Sequence, residues 1–138
     1  LVEGVFRRRQ EAFLNSTEAA LEKLPTLVDK LTHSVFQGRK DAHEGLFASL
    51  AETEPETVAL MYLEPAFYRR SVEFWPPHIR MAQQNGEISP DVDVAMATDV
   101  VMRLAVSMVM FPDMGLVLKT RSQIRDYLAR TLTVGLGG

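Results

Sequence analysis

Few side chains in this sequence could do chemistry, and their spacing limits which chemistry is open to them. Three histidines occur, His33, His43 and His78, far apart along the chain. A metal centre needs ligands one helical turn apart or converging from loops. Only Asp41-Ala42-His43-Glu44 gathers donors closely, and it lacks a second histidine. Solvated histidines and no metal are therefore expected, with His33 able to turn a polar group toward a pocket. Glu52, Glu54 and Glu56 cluster around Pro55. Acids at a helix start suit its dipole, which explains them better than acid–base catalysis. No nucleophile elbow, phosphate loop or HExxH motif occurs. The chain is expected to be no enzyme and to need no cofactor.

What remains is binding. Phe13, Phe36, Phe47, Met61, Tyr62, Tyr68, Trp75, Met102 and Met110 are the residue types that wall small-molecule sites, and methionine adapts to varied ligand shapes. Tyr62 and Tyr68 could offer hydroxyls. Arg103 lies amid apolar residues and could hold an acidic ligand. A buried arginine needs a partner, however, and Asp99 one turn earlier can supply a structural one. The plainer use of the aromatic set is to fill a core.

The elements that must position these groups read as helices. A first helix is expected over residues 1–23, with Val2, Val5, Phe6, Phe13, Thr17, Ala20, Leu21 and Leu24 near one face. Pro25 fits the first turn of a second helix, whose stripe is Leu27, Leu31, Val35 and Phe36. Gly38 with Arg39-Lys40-Asp41 marks a weak point after it. Pro55 and Pro65 each open a further helix. Pro76 and Pro77 must kink or interrupt the helix that holds Trp75, and Gly86 ends it. Asp93 can cap the next helix, which Pro112 stops. Thr120 and Gln123 form a capping box for the last one, closed by Gly135. No alternating β-branched run or hairpin signal appears. The expectation is one all-α domain over residues 1–138, a bundle of six or seven helices.

The helix after Asp93 is the most unusual. Between Val94 and Phe111 only Asp99 and Arg103 are charged, whereas a surface helix normally carries one apolar stripe. Val94, Ala97, Thr98, Val101, Ala105 and Met108 form one apolar face. Met96, Val100, Leu104, Ser107 and Phe111 form another. A central helix of a large bundle could bury both, but in a chain of this length one face is as readily covered by a second copy, so a homodimer is expected, the alternative being a buried central helix of a monomer. Small residues favour close approach, which points to Ala97, Thr98, Val101, Ala105 and Met108, joined by Ile124, Tyr127, Leu128 and Thr131 of the last helix, as the dimer interface.

Charge and composition narrow the partners. With 15 basic against 18 acidic side chains the net charge is -3, so there is no basic footprint for nucleic acid and no polybasic membrane address. The apolar run from Val100 to Phe111 is too short to span a bilayer. With no cysteine, disulfides and thiolate metal sites are excluded, and a cytoplasmic location is expected.

Taken in order, several stretches resemble one family. Gly86-Glu87-Ile88-Ser89-Pro90-Asp91-Val92-Asp93 is similar to a G-E-[LI]-x-P-D-[LV]-D turn of TetR-like transcription regulators. Ala97-Thr98-Asp99 through Arg103-Leu104 and Ser107 is similar to the helix that follows it there. Leu50 to Glu56 looks like an L-x-x-x-E-P-E segment of one branch, and Ile124 to Leu128 with Gly135-Leu136 looks like the final helix and tail. The resemblance covers nearly the whole chain, as a C-terminal ligand-binding and dimerisation domain. It implies a homodimer through the last two helices and a small apolar or amphipathic effector. Binding would move the first helix and change the spacing of DNA-binding heads, whose recognition helices must sit roughly 34 Å apart on an operator. Nothing here matches the family's N-terminal helix-turn-helix. The chain begins at Leu1 within what reads as a helix, so a preceding DNA-binding domain of a repressor is expected and operator DNA would be reached only through it. The alternative is a helical dimerisation or interaction module with no ligand.

Overall fold

The expectation of an all-α chain is met. The computed structural model describes residues 2–42, 45–111 and 114–137. Among them run eight helices and no strand: α1 (Val2–Leu21), α2 (Leu27–Ala42), α3 (Gly45–Thr53), α4 (Pro55–Tyr62), α5 (Pro65–Phe74), α6 (Pro76–Gln84), α7 (Val94–Met110) and α8 (Arg121–Gly135). Pro55, Pro65 and Pro76 each take a first helical position, where the missing N–H costs nothing. The break at Trp75 follows from the two prolines after it. Trp75 is at once the C-cap of α5 and the N-cap of α6.

α2 is the central helix. It packs against α1, α3, α6, α7 and α8, and Leu27, Val28, Leu31 and Val35 lie in the core. Its start differs from the expected one. Pro25 lies outside the helix, and Thr26 is the cap: its hydroxyl accepts from the Asp29 N–H (3.0 Å) and donates to the Asp29 carboxylate (2.7 Å). The two remaining orphan N–H groups of this end, those of Leu27 and Val28, donate to the Glu87 carboxylate at 2.6 and 3.0 Å. An anion at a helix N-terminus satisfies both the donors and the dipole.

Gly38 does not weaken α2, which runs on to Ala42. A Cβ at Gly38 would lie 3.0 Å from a Val109 methyl, so the glycine lets α2 and α7 approach closely. Arg39 beside it is buried, its Nε donating to Met108 O at 2.8 Å and Nη1 to Leu118 O. Those carbonyls flank the segment between α7 and α8, so one guanidinium ties both ends of that connection to α2.

The 85–93 turn joins the remaining parts. Gly86 takes the left-handed conformation (φ 76°) that ends a helix, with Glu87 N–H donating back to Ala82 O. Ile88 is buried. Gln83 holds Ser89 O and Val92 O at 3.2 and 2.8 Å, and Ser89 N–H donates to Leu136 O. Asp93 caps α7 as expected, accepting from Met96 N–H at 3.1 Å. Thr120 and Gln123 form the expected reciprocal box at the start of α8. Gly135 is the last helical residue, and the left-handed glycine is Gly137.

Candidate functional site

α7 has one sealed face and one open face. Ala97, Thr98, Val101, Met108 and Val109 are buried, facing the helices that α7 packs against, α2, α5 and α6. On the other side Met96 and Phe111 are exposed, with Val100, Leu104 and Ser107 half-buried. The segment after α7 adds Met114, Leu116 and Val117, each more than 60% exposed. Between these parts lies a solvent-facing cleft of about 180 Å³, walled by Leu104, Ser107, Met108, Phe111, Met114, Gly115, Leu116, Leu118 and Tyr127, with Arg39 at its floor. It brings the open face of α7 and Tyr127 of α8 onto one surface.

The expected division of α7 is therefore reversed. Ala97, Thr98, Val101 and Met108 are covered by the chain's own helices, as are Ile124 and Leu128 of α8. The small residues do allow close approach, but within the chain. Among the residues expected at a dimer interface, Ala105 and Tyr127 are half-buried and Thr131 is exposed. Arg103 makes the expected pair with Asp99, but it is not buried. Its side chain is 81% exposed and its Nε donates to Asp99 at 2.7 Å, so it is a surface ion pair and lines no interior pocket.

The interior carries a different constellation. Across the α5–α6 break, Ser71, Trp75 and His78 are buried at helical spacing. The Trp75 ring meets Phe74 edge-on at 5.2 Å. His78 lies 5.3 Å from Phe74 and 6.0 Å from Trp75 between ring centroids. One turn beyond His78, the Met81 sulfur accepts from Lys30 Nζ of α2 at 3.4 Å. Lys30 is 3% exposed and His78 8%, and the His78 Nδ1 is buried with no hydrogen-bond partner. Burial and then the Lys30 charge push the His78 pKa below its usual value, while Glu18 of α1 and Glu22 just after it pull the other way. Burial thus disfavours the charged form of this imidazole. His33 is also lowered, by burial and by Arg121.

Of the residues expected in a pocket, Trp75 belongs to this interior cluster. Phe36 and Met102 pack half-buried against the core. Arg121 stacks over the Phe36 ring at 4.8 Å. Met110 is half-buried at the end of α7, and Tyr68 is exposed. Phe13, Phe47, Met61 and Tyr62 sit on α1, α3 and α4, but their side chains lie outside the described part of the structure, as do those of the Asp41-to-Glu44 cluster. Among the described residues no group of three or more possible ligands could hold a metal, and no helix is long and apolar enough to cross a membrane.

Sequence reasoning missed Lys30, His78, Arg39 and Glu87. For Lys30 a signal existed: it sits between Leu27 and Leu31 on an otherwise apolar face. For His78, burial follows from the kink at Pro76 and Pro77, which turns α6 back onto the core. No family model, curated protein or solved structure matches the chain.

Proposed function

We infer that this chain is the effector-binding and homodimerisation domain of a TetR-like transcription regulator, two copies meeting through the open face of α7, the 111–120 segment and α8. The reading is carried by the apolar surface that a single copy leaves uncovered, from Met96 through Leu104 and Phe111 to Leu116. Apolar patches of this kind mark interaction sites. A second copy fits it best for an electrostatic reason. A two-fold axis sets a surface against itself, which like charges would oppose. Here Arg103 is neutralised by Asp99 at 2.7 Å and Arg130 by Asp126 at 3.1 Å, each within its own helix. Along α7 and α8 these pairs leave the four residues with no net charge to oppose a copy.

The interior cluster around Trp75, His78 and Lys30 supplies the sensing half of the reading. A molecule bound there touches α2 and α6 and lies next to α1, the helix that would lead toward a DNA-binding domain. Binding changes the helix arrangement only if the two arrangements bind it with different affinity.

Sedimentation velocity tests the assembly. The chain is expected to run as a dimer in the micromolar range, and Leu104→Glu as a monomer with unchanged helical circular dichroism. A wild-type monomer at those concentrations would remove the reading. The sensing half predicts stabilisation of about 2.7 kcal/mol by an effector at a hundredfold excess over its Kd. A dimer that no small molecule stabilises would leave a helical interaction module.

A further inference from the structure

Two cations are buried on α2, and the protein treats them differently. Arg39 donates to the carbonyls of Met108 and Leu118. Lys30, at 3% exposure, has one partner among the described residues, the Met81 sulfur at 3.4 Å. A thioether is a weak acceptor, while an ammonium carries three donors. Burying such a group without oxygen acceptors is costly. One turn before Met81, the His78 Nδ1 is buried with no hydrogen-bond partner among the described residues. Two polar groups from different helices, α2 and α6, thus lack oxygen partners within one turn of α6, Lys30 at Met81 and His78 against the rings of Phe74 and Trp75.

We propose that Lys30 and His78 form the recognition point for an effector's carboxylate, with Phe74 and Trp75 against its apolar or aromatic body. This rests on the reading of the chain as a sensor and names the class of molecule sensed. Lys30 supplies one buried positive charge, and Glu18 and Glu22 also act on His78, so a monoanion is favoured over a dianion. A phosphate would need more donors, and α6 cannot provide them. Its first two residues are Pro76 and Pro77, which have no N–H, and the N–H groups of His78 and Ile79 both donate to Trp75 O, at 3.0 and 3.1 Å. Lys30 supplies a charge-assisted hydrogen bond, and the His78 imidazole, its Nδ1 buried, supplies one more.

The test pairs acids with their amides. Phenylacetate and indole-3-acetate are compared with phenylacetamide and indole-3-acetamide by thermal unfolding, on the wild-type chain and on Lys30→Met, which keeps the buried stem and removes the charge. The acids should raise Tm and the amides far less. Lys30→Met should fold and bind the acids about tenfold or more weakly, as loss of a charged hydrogen bond implies. Independently of any variant, adding phenylacetate should move the His78 imidazole resonances of the wild-type protein. Equal stabilisation by acid and amide, unchanged in Lys30→Met, would overturn the carboxylate assignment and leave the sensor reading standing. No stabilisation by either set, with His78 unmoved, would overturn the assignment, and a wider screen of neutral compounds would then decide the sensor reading separately.

Discussion

α2 and α7 are near neighbours with opposite characters. α2 carries Asp29, Lys30, His33, Arg39, Lys40 and Asp41, yet it is packed by five other helices. α7 carries only Asp99 and Arg103, yet one of its faces is open. Burial is set by what surrounds a helix and only partly by its own hydropathy. α2 tolerates the centre because its polar groups are mostly bonded: Thr32 to Val28 O (2.7 Å), Ser34 to Lys30 O (2.9 Å), Arg39 to two carbonyls. Lys30 is the exception. α7 holds more apolar surface than its own chain covers. α2 thus keeps a buried cation bonded only to a thioether, and α7 an uncovered face.

The largest expected effect separates the two helices. Leu31→Ala on α2 should cost about 2–5 kcal/mol, since Leu31 is fully buried. Leu104→Ala on α7 should barely change unfolding of a single copy and should weaken self-association instead. Equal losses in chemical denaturation would erase the distinction between central and open helix. Next comes Arg39→Met, which leaves the carbonyls of Met108 and Leu118 without their donor at about 1–3 kcal/mol each. It should also loosen the 111–120 segment, seen as faster amide exchange there. Glu87→Ala removes the carboxylate that caps α2 and should cost about 1–2 kcal/mol. A neutral result would mean water serves the Leu27 and Val28 N–H groups as well.

The smallest effect is a slope. His78 is held below its usual pKa of 6.5 by burial and Lys30. Below 6.5 the unfolded chain therefore binds a proton that the folded chain resists, and stability should fall as pH drops through that value. His33 is shifted the same way, so His78→Gln should flatten the slope in part. Asp29 acts lower on the scale. Burial works to raise its pKa, but hydrogen bonds from Arg125 (2.7 Å) and Thr26 outweigh it and leave the carboxyl below its usual 3.8. Its stabilising share is present above 3.8 and is lost as pH falls through the lowered value. Urea midpoints between neutral and acid pH would show both.

Much of the fold was legible because proline and capping chemistry is local. Pro55, Pro65, Asp93 and the Thr120–Gln123 box sit where their residue types require. The cap of α2 was not legible in full, since Glu87 lies 60 residues from the N–H it accepts. Which face of α7 turns inward was also hidden. Both faces are apolar, and Gly38, the residue that draws Val109 inward, looks in sequence like a helix end. The candidate site was legible at Trp75 alone. His78 and Lys30 become a pair only when α2 crosses α6.

The most direct test of the central claim, that copies meet through the open face of α7, uses the absence of cysteine from this chain. Single cysteines at Val100, Ser107 and Phe111 would be compared with one at Arg80, exposed on α6, under mild oxidation. A disulfide needs Cα atoms within about 7 Å. The account predicts rapid covalent dimers from at least one α7 position near the two-fold axis and none from Arg80. Covalent dimers from Arg80 alone, or a stable dimer that no α7 cysteine traps, would contradict it.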